Sequence, residues 1–244
     1  TTGVFENGWA DQQFLDHEGM MRTILRTDHN GRGFLQFLDK AHKVRLDFAT
    51  PADGTMREIL TDKAGKSRIV TESAPDGAVR HRMNDASGIA RLMLGVKSTG
   101  DAGLAMADGN GKERYALGTR GNGTITQSFN DGDGKQRVMT AVTSDASAKF
   151  MLFDQADNVR VLSETSSDDQ GYQQFFDKAG KPRITLGTFP DGGVGQLIRD
   201  KEGKPRIINA INPDGGVVME ADREIRPVPP TNPPTHVTSR RSRF

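Results

Sequence analysis

The side chains that could do chemistry in this 244-residue chain are carboxylates and guanidiniums set at one fixed interval. Asp stands at positions 16, 39, 62, 85, 108, 131, 154, 177 and 200, and an Arg follows each one six residues later, from Arg22 to Arg206. The copies are 23 residues apart every time and share the pattern D-x-x-G-x-x-R. A column of Arg could hold an acidic polymer. A column of Asp could ligate a hard cation. The third possibility, pairing of Asp with Arg inside each copy, needs no partner at all. Such an exposed pair contributes only about 0–1 kcal/mol, but the Arg stem can also lie across a strand and shield it. We therefore expect a structural role for the repeat residues, typified by Asp62, Gly65 and Arg68; Asp108, Gly111 and Arg114; Asp177, Gly180 and Arg183; and Asp200, Gly203 and Arg206.

The remaining candidates are weaker. The histidines His17, His29, His42, His81 and His236 show no ligand spacing to one another. Asp131-Gly132-Asp133-Gly134 resembles the opening of a calcium loop, but Val142 occupies the place where an acidic residue would close it. Glycine-rich stretches such as Asp108-Gly109-Asn110-Gly111-Lys112 have no helix after them and read as turns, not phosphate cradles. Asn122-Gly123-Thr124 fits a glycosylation acceptor and coincides with a turn of its repeat. No Ser/His/Asp set departs from the repeat. The expectation is no catalytic residue, no cofactor and no metal site.

The elements that must carry these residues follow from the repeat. Counting the Asp as 0, positions +7, +9 and +11 are mostly apolar or Thr, as are +17, +19 and +21 (Phe37, Leu60, Met83, Met106, Phe129, Leu152, Phe175 and Ile198 at +21). Alternation with period two means two strands per repeat. D-x-x-G reads as a four-residue hairpin loop with Gly in the left-handed position and Asp capping the turn. That closure would pair −2 with +5 and −4 with +7. A second turn at +13 to +15, as in Asp53-Gly54 and Asn122-Gly123, reads as a three-residue loop with a terminal Gly bulge. It would pair +11 with +17 and +9 with +19. The expected fold is all-β, about nine hairpins in an elongated antiparallel meander; the alternative is a β-solenoid with one coil per repeat. Position +10 is small in six of the nine copies (Ala49, Gly95, Gly118, Ala141, Gly187, Ala210) and +8 is often apolar. That second face either packs against another layer or uses its glycines for curvature. A flat sheet with one apolar face must curl into a tube, double over or associate.

Residues 1–15 read as an N-terminal partial repeat, with Trp9 as a cap residue over the first sheet edge; 16–225 form the array; 226–244 form a proline-rich basic tail. Pro229, Pro230, Arg240, Arg241 and Phe244 make that tail a candidate docking arm. Apolar residues are only 34% of the chain, which suits thin sheets with much exposed surface. Thirty-three Lys and Arg balance 32 Asp and Glu, so nothing favours nucleic acid through bulk charge. Cysteine is absent, which excludes disulfides and thiolate metal sites. No apolar run is long enough for a transmembrane helix. The chain begins at Thr1, so a processed N-terminus is suspected.

The stretches Asp177-Lys178-Ala179-Gly180-Lys181-Pro182-Arg183-Ile184 and Asp200-Lys201-Glu202-Gly203-Lys204-Pro205-Arg206-Ile207 resemble tandem repeats of bacterial envelope or secreted proteins. They are also loosely similar to the hairpin YD repeats of Rhs-type shells, without the Tyr-Asp signature. The resemblance implies an all-β repeat fold and an extracellular or cell-surface setting, and it carries over no catalytic residue. The expected function is a non-enzymatic structural subunit of a filament, sheath or scaffold, a homo-oligomer or a partner of other envelope proteins. The alternative is a receptor- or glycan-binding fibre, such as a phage or injection-system tail fibre, for which Trp9, Tyr115 and Tyr172 are the few available aromatics besides Phe.

Overall fold

A computed structural model describes residues 2–4 and 8–221. The proposed tail 226–244, with Pro229, Pro230, Arg240, Arg241 and Phe244, lies outside the described residues. The strands are β1 (Thr2–Val4), β2 (Ala10–Leu15), β3 (Met21–Thr27), β4 (Gly33–Leu38), β5 (Val44–Thr50), β6 (Met56–Thr61), β7 (Ser67–Ser73), β8 (Val79–Asn84), β9 (Ala90–Val96) and β10 (Ala102–Ala107). They continue as β11 (Glu113–Thr119), β12 (Ile125–Asn130), β13 (Gln136–Val142), β14 (Ala148–Phe153), β15 (Val159–Thr165), β16 (Gly171–Phe176), β17 (Pro182–Thr188), β18 (Val194–Arg199), β19 (Pro205–Ile211) and β20 (Val217–Ala221). No helix occurs among the described residues.

Every strand pairs antiparallel with the strand before and after it in the chain. The meander is therefore what forms. A solenoid would need parallel pairing between equivalent strands of successive coils. Strands also touch only their sequential neighbours. Among the described residues the sheet neither closes into a tube nor folds back on itself. At ~4.8 Å between strands, 20 strands extend the sheet by roughly 90 Å.

The second turn has the expected register: Thr27 faces Gly33, and Leu25 faces Leu35. The first turn does not. Asp16 N–H donates to the Met20 carbonyl at 2.9 Å and Gly19 N–H to the Asp16 carbonyl at 3.0 Å, which makes a three-residue loop, not a four-residue one. Leu15 then pairs with Met21, and Phe14 with Thr23. Position −2 faces +7, not +5, and the Arg at +6 is the extra residue of a β-bulge. The same shift recurs in all nine copies.

The bulge explains the odd repeat length. In a regular meander with these turns, paired residues have the same parity in sequence number, so parity alone fixes the face. A shift of 23 would then send equivalent residues to opposite faces in successive repeats. One bulge per repeat reverses parity once and restores the face. The 23-residue unit is two 11-residue half-hairpins plus the Arg.

With the faces kept constant, +7, +9, +11, +17, +19 and +21 share one side of the sheet and +8, +10, +18 and +20 the other. There is almost no core. Among the described residues the buried apolar side chains are Ile24, Val70, Ala78, Ala107 and Ala141, and none of the large ones is completely enclosed. The ladder hydrogen bonds, the turns and cross-strand side-chain contacts hold the sheet. Tyr115 and Phe129, for example, meet edge to face at 5.2 Å between ring centres.

Candidate functional site

The first turns of all nine repeats line one long side of the sheet, and each is built around its Asp. Asp108 is representative: its Oδ1 accepts the N–H of Asn110 at 2.9 Å and of Lys112 at 3.1 Å. Its Oδ2 faces Arg114 at 3.5 Å. All nine Asp–Arg pairs form, at 3.4 Å in Asp62–Arg68, 2.7 Å in Asp200–Arg206 and closely in Asp177–Arg183. Gly65, Gly111, Gly180 and Gly203 all have positive φ, and His42 and Asp157 adopt the same conformation where Gly is missing.

The Arg does more than pair locally. Arg68 Nε donates to the Asn84 carbonyl at 2.9 Å, Arg91 Nε to Ala107 at 2.8 Å and Arg114 Nε to Asn130 at 2.9 Å, each in the next hairpin. Arg22, Arg137 and Arg160 instead reach the carbonyl of the following repeat Asp. Lys43, Lys135 and Lys181 also donate to carbonyls one repeat ahead. This side of the sheet is stapled hairpin to hairpin. The staples were not legible in the sequence, because they depend on the bulge that turns the Arg toward its neighbour.

These hydrogen bonds favour the carboxylate form. All nine repeat Asp carboxyls lie below their ordinary value. In Asp39, Asp62 and Asp177 the N–H four residues on has the largest influence. In Asp85, Asp131 and Asp200 desolvation, which pushes upward, is the largest single influence, and the hydrogen bonds and Arg together outweigh it. Asp154 falls to about 2, chiefly through the Asn158 N–H. The carboxylates are thus committed to turns. Asp131 shows this where the calcium resemblance was noted: its oxygens accept from Asp133, Lys135 and Arg137. No group of three or more His, Asp or Glu gathers as a metal cluster among the described residues.

Trp9 is engaged inside its own chain. Its ring lies under the Arg26 guanidinium at 5.0 Å, and its Nε1 donates to His29 Nδ1 at 3.2 Å. Among the described residues the outermost strand at that end is β1, which pairs with β2 just after Trp9. Among the other histidines, His17 is exposed near Glu18, and His81 shares a hydrogen bond with Thr71 at 3.0 Å.

The two faces differ in kind. Apart from Leu15, Met20 and Met93, every exposed large apolar side chain sits on the +7/+9/+11 side, from Phe14 through Phe37, Phe48, Phe129 and Phe150 to Met219. On the opposite face, the +10 and +18 positions form one continuous row across the strands. Part of that row is ionic, with Arg26 at 3.3 Å from Asp11, Arg57 at 3.1 Å from Glu72 and Lys149 at 3.1 Å from Glu164. Part is glycine: Gly95, Gly103 and Gly118, then Gly187 and Gly195. A Cβ added at Gly95 would overlap the Val79 carbonyl oxygen, and one at Gly195 the Asn209 oxygen. Here the neighbouring backbone comes too close for a side chain. Above the first glycine group the face is hollowed into a groove.

The sequence matches no protein-family model and no curated protein. Among solved structures the chain is similar to the TCP10 domain of Danio rerio CPAP, at 15% identity over 85% of this chain and 98% of that one, with a TM-score of 0.44. It is also similar to the SAS-4 (dCPAP) TCP domain of Drosophila melanogaster in complex with a proline-rich motif of Ana2, at 12% identity over 78% and 90% of the two chains, TM-score 0.36. A third likeness is to the TcdB2-TccC3-Cdc42 structure, at 9% identity over 89% of this chain but 15% of that one, TM-score 0.24. Each is a likeness of fold at low identity. No helix among the described residues is long and apolar enough to cross a membrane.

Proposed function

We propose that this chain is a non-enzymatic structural subunit: an elongated β-scaffold that assembles, with copies of itself, by burying its long apolar sheet face. The observation that carries the reading is that face, which nothing among the described residues covers. Monomeric soluble proteins rarely expose contiguous apolar patches beyond a few hundred Å². A face roughly 90 Å long and about 20 Å wide offers on the order of 1,800 Å² per copy. Two such faces exceed the total of about 1,200–2,000 Å² buried in a standard stable interface. The repeat Asp and Arg residues serve rigidity in this reading, because their polar groups are spent on turns and staples. A bacterial envelope or extracellular setting is part of the proposal and rests on the resemblance of the D-x-x-G-x-x-R units to tandem repeats of such proteins.

Light-scattering mass and negative-stain electron microscopy test it. Fixed oligomers or filaments are expected for the native chain, and dissociation to single rods for the triple variant Phe37→Glu/Phe129→Glu/Phe150→Glu. Native protein that stays monomeric at tens of micromolar would end the proposal.

A further inference from the structure

The groove lies on the face opposite the apolar one, so it is free when that face is buried. It consists of two adjoining hollows, of about 640 and 410 Å³, reaching from β7 to β15. Nine strands at ~4.8 Å give it a run of roughly 38 Å across the strands. Two parallel rows make its surface. One is apolar and adaptable, with Val70, Met93, Met139, Met151 and Leu162 in the +8 and +20 positions. The other is the floor of Gly95, Gly103 and Gly118, where a bound chain can approach the backbone.

The charges around it are unequal in availability. Each carboxylate on its walls is already matched: Glu72 by Arg57 at 3.1 Å, Asp101 by Lys97 at 3.8 Å and Glu164 by Lys149 at 3.1 Å. Three guanidiniums are not. Arg80, Arg82 and Arg120 line the groove, are exposed and have no side-chain partner among the described residues. Arg80 stands across from Glu72, whose carboxylate turns the other way to Arg57. The repeat Arg residues are all paired, so these three are a separate set placed around one concavity.

We infer that this groove binds an acidic, amphipathic polypeptide segment of a partner protein, its apolar side chains on the methionine row and its carboxylates on Arg80, Arg82 and Arg120. Charge complementarity selects an acidic occupant. The apolar row selects a polypeptide over a sulfated or phosphorylated polymer, which would leave Met93 and Met139 uncovered. Methionine suits such a surface because its unbranched thioether adapts to the partner.

The probe is a fluorescein-labelled 16-residue peptide of alternating Glu and Leu, read by anisotropy against the full chain. Its Lys/Leu counterpart and a heparin oligosaccharide serve as comparisons. The Glu/Leu peptide should bind. Binding should weaken about tenfold or more in Arg80→Glu/Arg120→Glu, through like-charge repulsion, and also in Met93→Asn/Met139→Asn. Arg80, Met93 and Arg120 are exposed and Met139 is half-buried, and far-UV circular dichroism verifies the fold. The inference is overturned by an absence of binding, by binding that neither variant alters, or by heparin binding that needs the arginines and ignores the methionines. The last result would make the groove a polyanion site.

Discussion

Substituting the row glycines by Ala, one at a time, separates close strand approach from mere preference for small residues. At Gly95 a Cβ overlaps the Val79 carbonyl oxygen and comes within 3.4 Å of Arg80 Cα. At Gly187 it overlaps the Gly171 oxygen and lies 2.6 Å from Tyr172 Cα, on a backbone with φ of 155°. At Gly118 it meets only the Ala102 oxygen, at 3.3 Å. Forcing atoms into filled space costs about 1–3 kcal/mol. Ala also restricts the unfolded chain, which returns about 0.5–1 kcal/mol. Gly95→Ala should therefore destabilise by about 1–2 kcal/mol, and Gly187→Ala by about 2–3 kcal/mol because its backbone is strained for Ala as well. Gly118→Ala should stay within about 0.5 kcal/mol of the native chain, since the two effects nearly cancel. Urea unfolding followed by far-UV circular dichroism measures this, at one protein concentration so that assembly does not shift the midpoint. Equal costs at Gly95 and Gly118, or none at either, would refute the argument from backbone proximity.

Three further outcomes follow from the turns. The repeat Asp carboxyls have folded values below 3.8, so the unfolded chain binds more protons in acid; their contribution is complete above about pH 5 and lost as pH falls toward the folded values, about 2 for Asp154. Urea midpoints should hold from pH 7 to about pH 5 and drop below it, and a flat profile down to pH 2 would contradict the hydrogen-bond assignments. Deleting Arg114 should be tolerated better than deleting Leu117, since the first gives a regular 22-residue repeat with every face kept. The second forces Arg114 opposite Met106 on the apolar side; equal midpoints in urea would show that the Arg is not the bulge residue. Ala146 holds a φ of 69° at the place where most second turns have Gly. Ala146→Gly should stabilise by about 0.5–1 kcal/mol, the left-handed cost of about 1–2 kcal/mol less the added freedom of Gly, and a lower thermal midpoint would contradict that turn geometry.

How much of this was legible in the residues depends on the range of the interactions. Period-two alternation, Asp at 0 and Gly at +3 and +15 are local signals, and they determined the hairpins, the second-turn register and the residues sharing the apolar face. The first-turn register was misread because D-x-x-G does not reveal that the Asp N–H closes onto position +4. Once it does, one residue is left over, and a count of 23 is compatible with either answer until the pairing is seen. The small residues at +10 were visible as a column, but not their reason, since backbone approach at Gly95, Gly187 and Gly195 depends on how adjacent strands twist together. Closure of the sheet lay equally beyond the pattern. Alternation specifies which side is apolar, whereas the sum of many small inter-strand rotations decides whether that side meets itself. Arg80, Arg82 and Arg120 show the same division. In sequence they are three ordinary arginines outside the repeat pattern, and only the tertiary structure gathers them around one groove while pairing every carboxylate beside them.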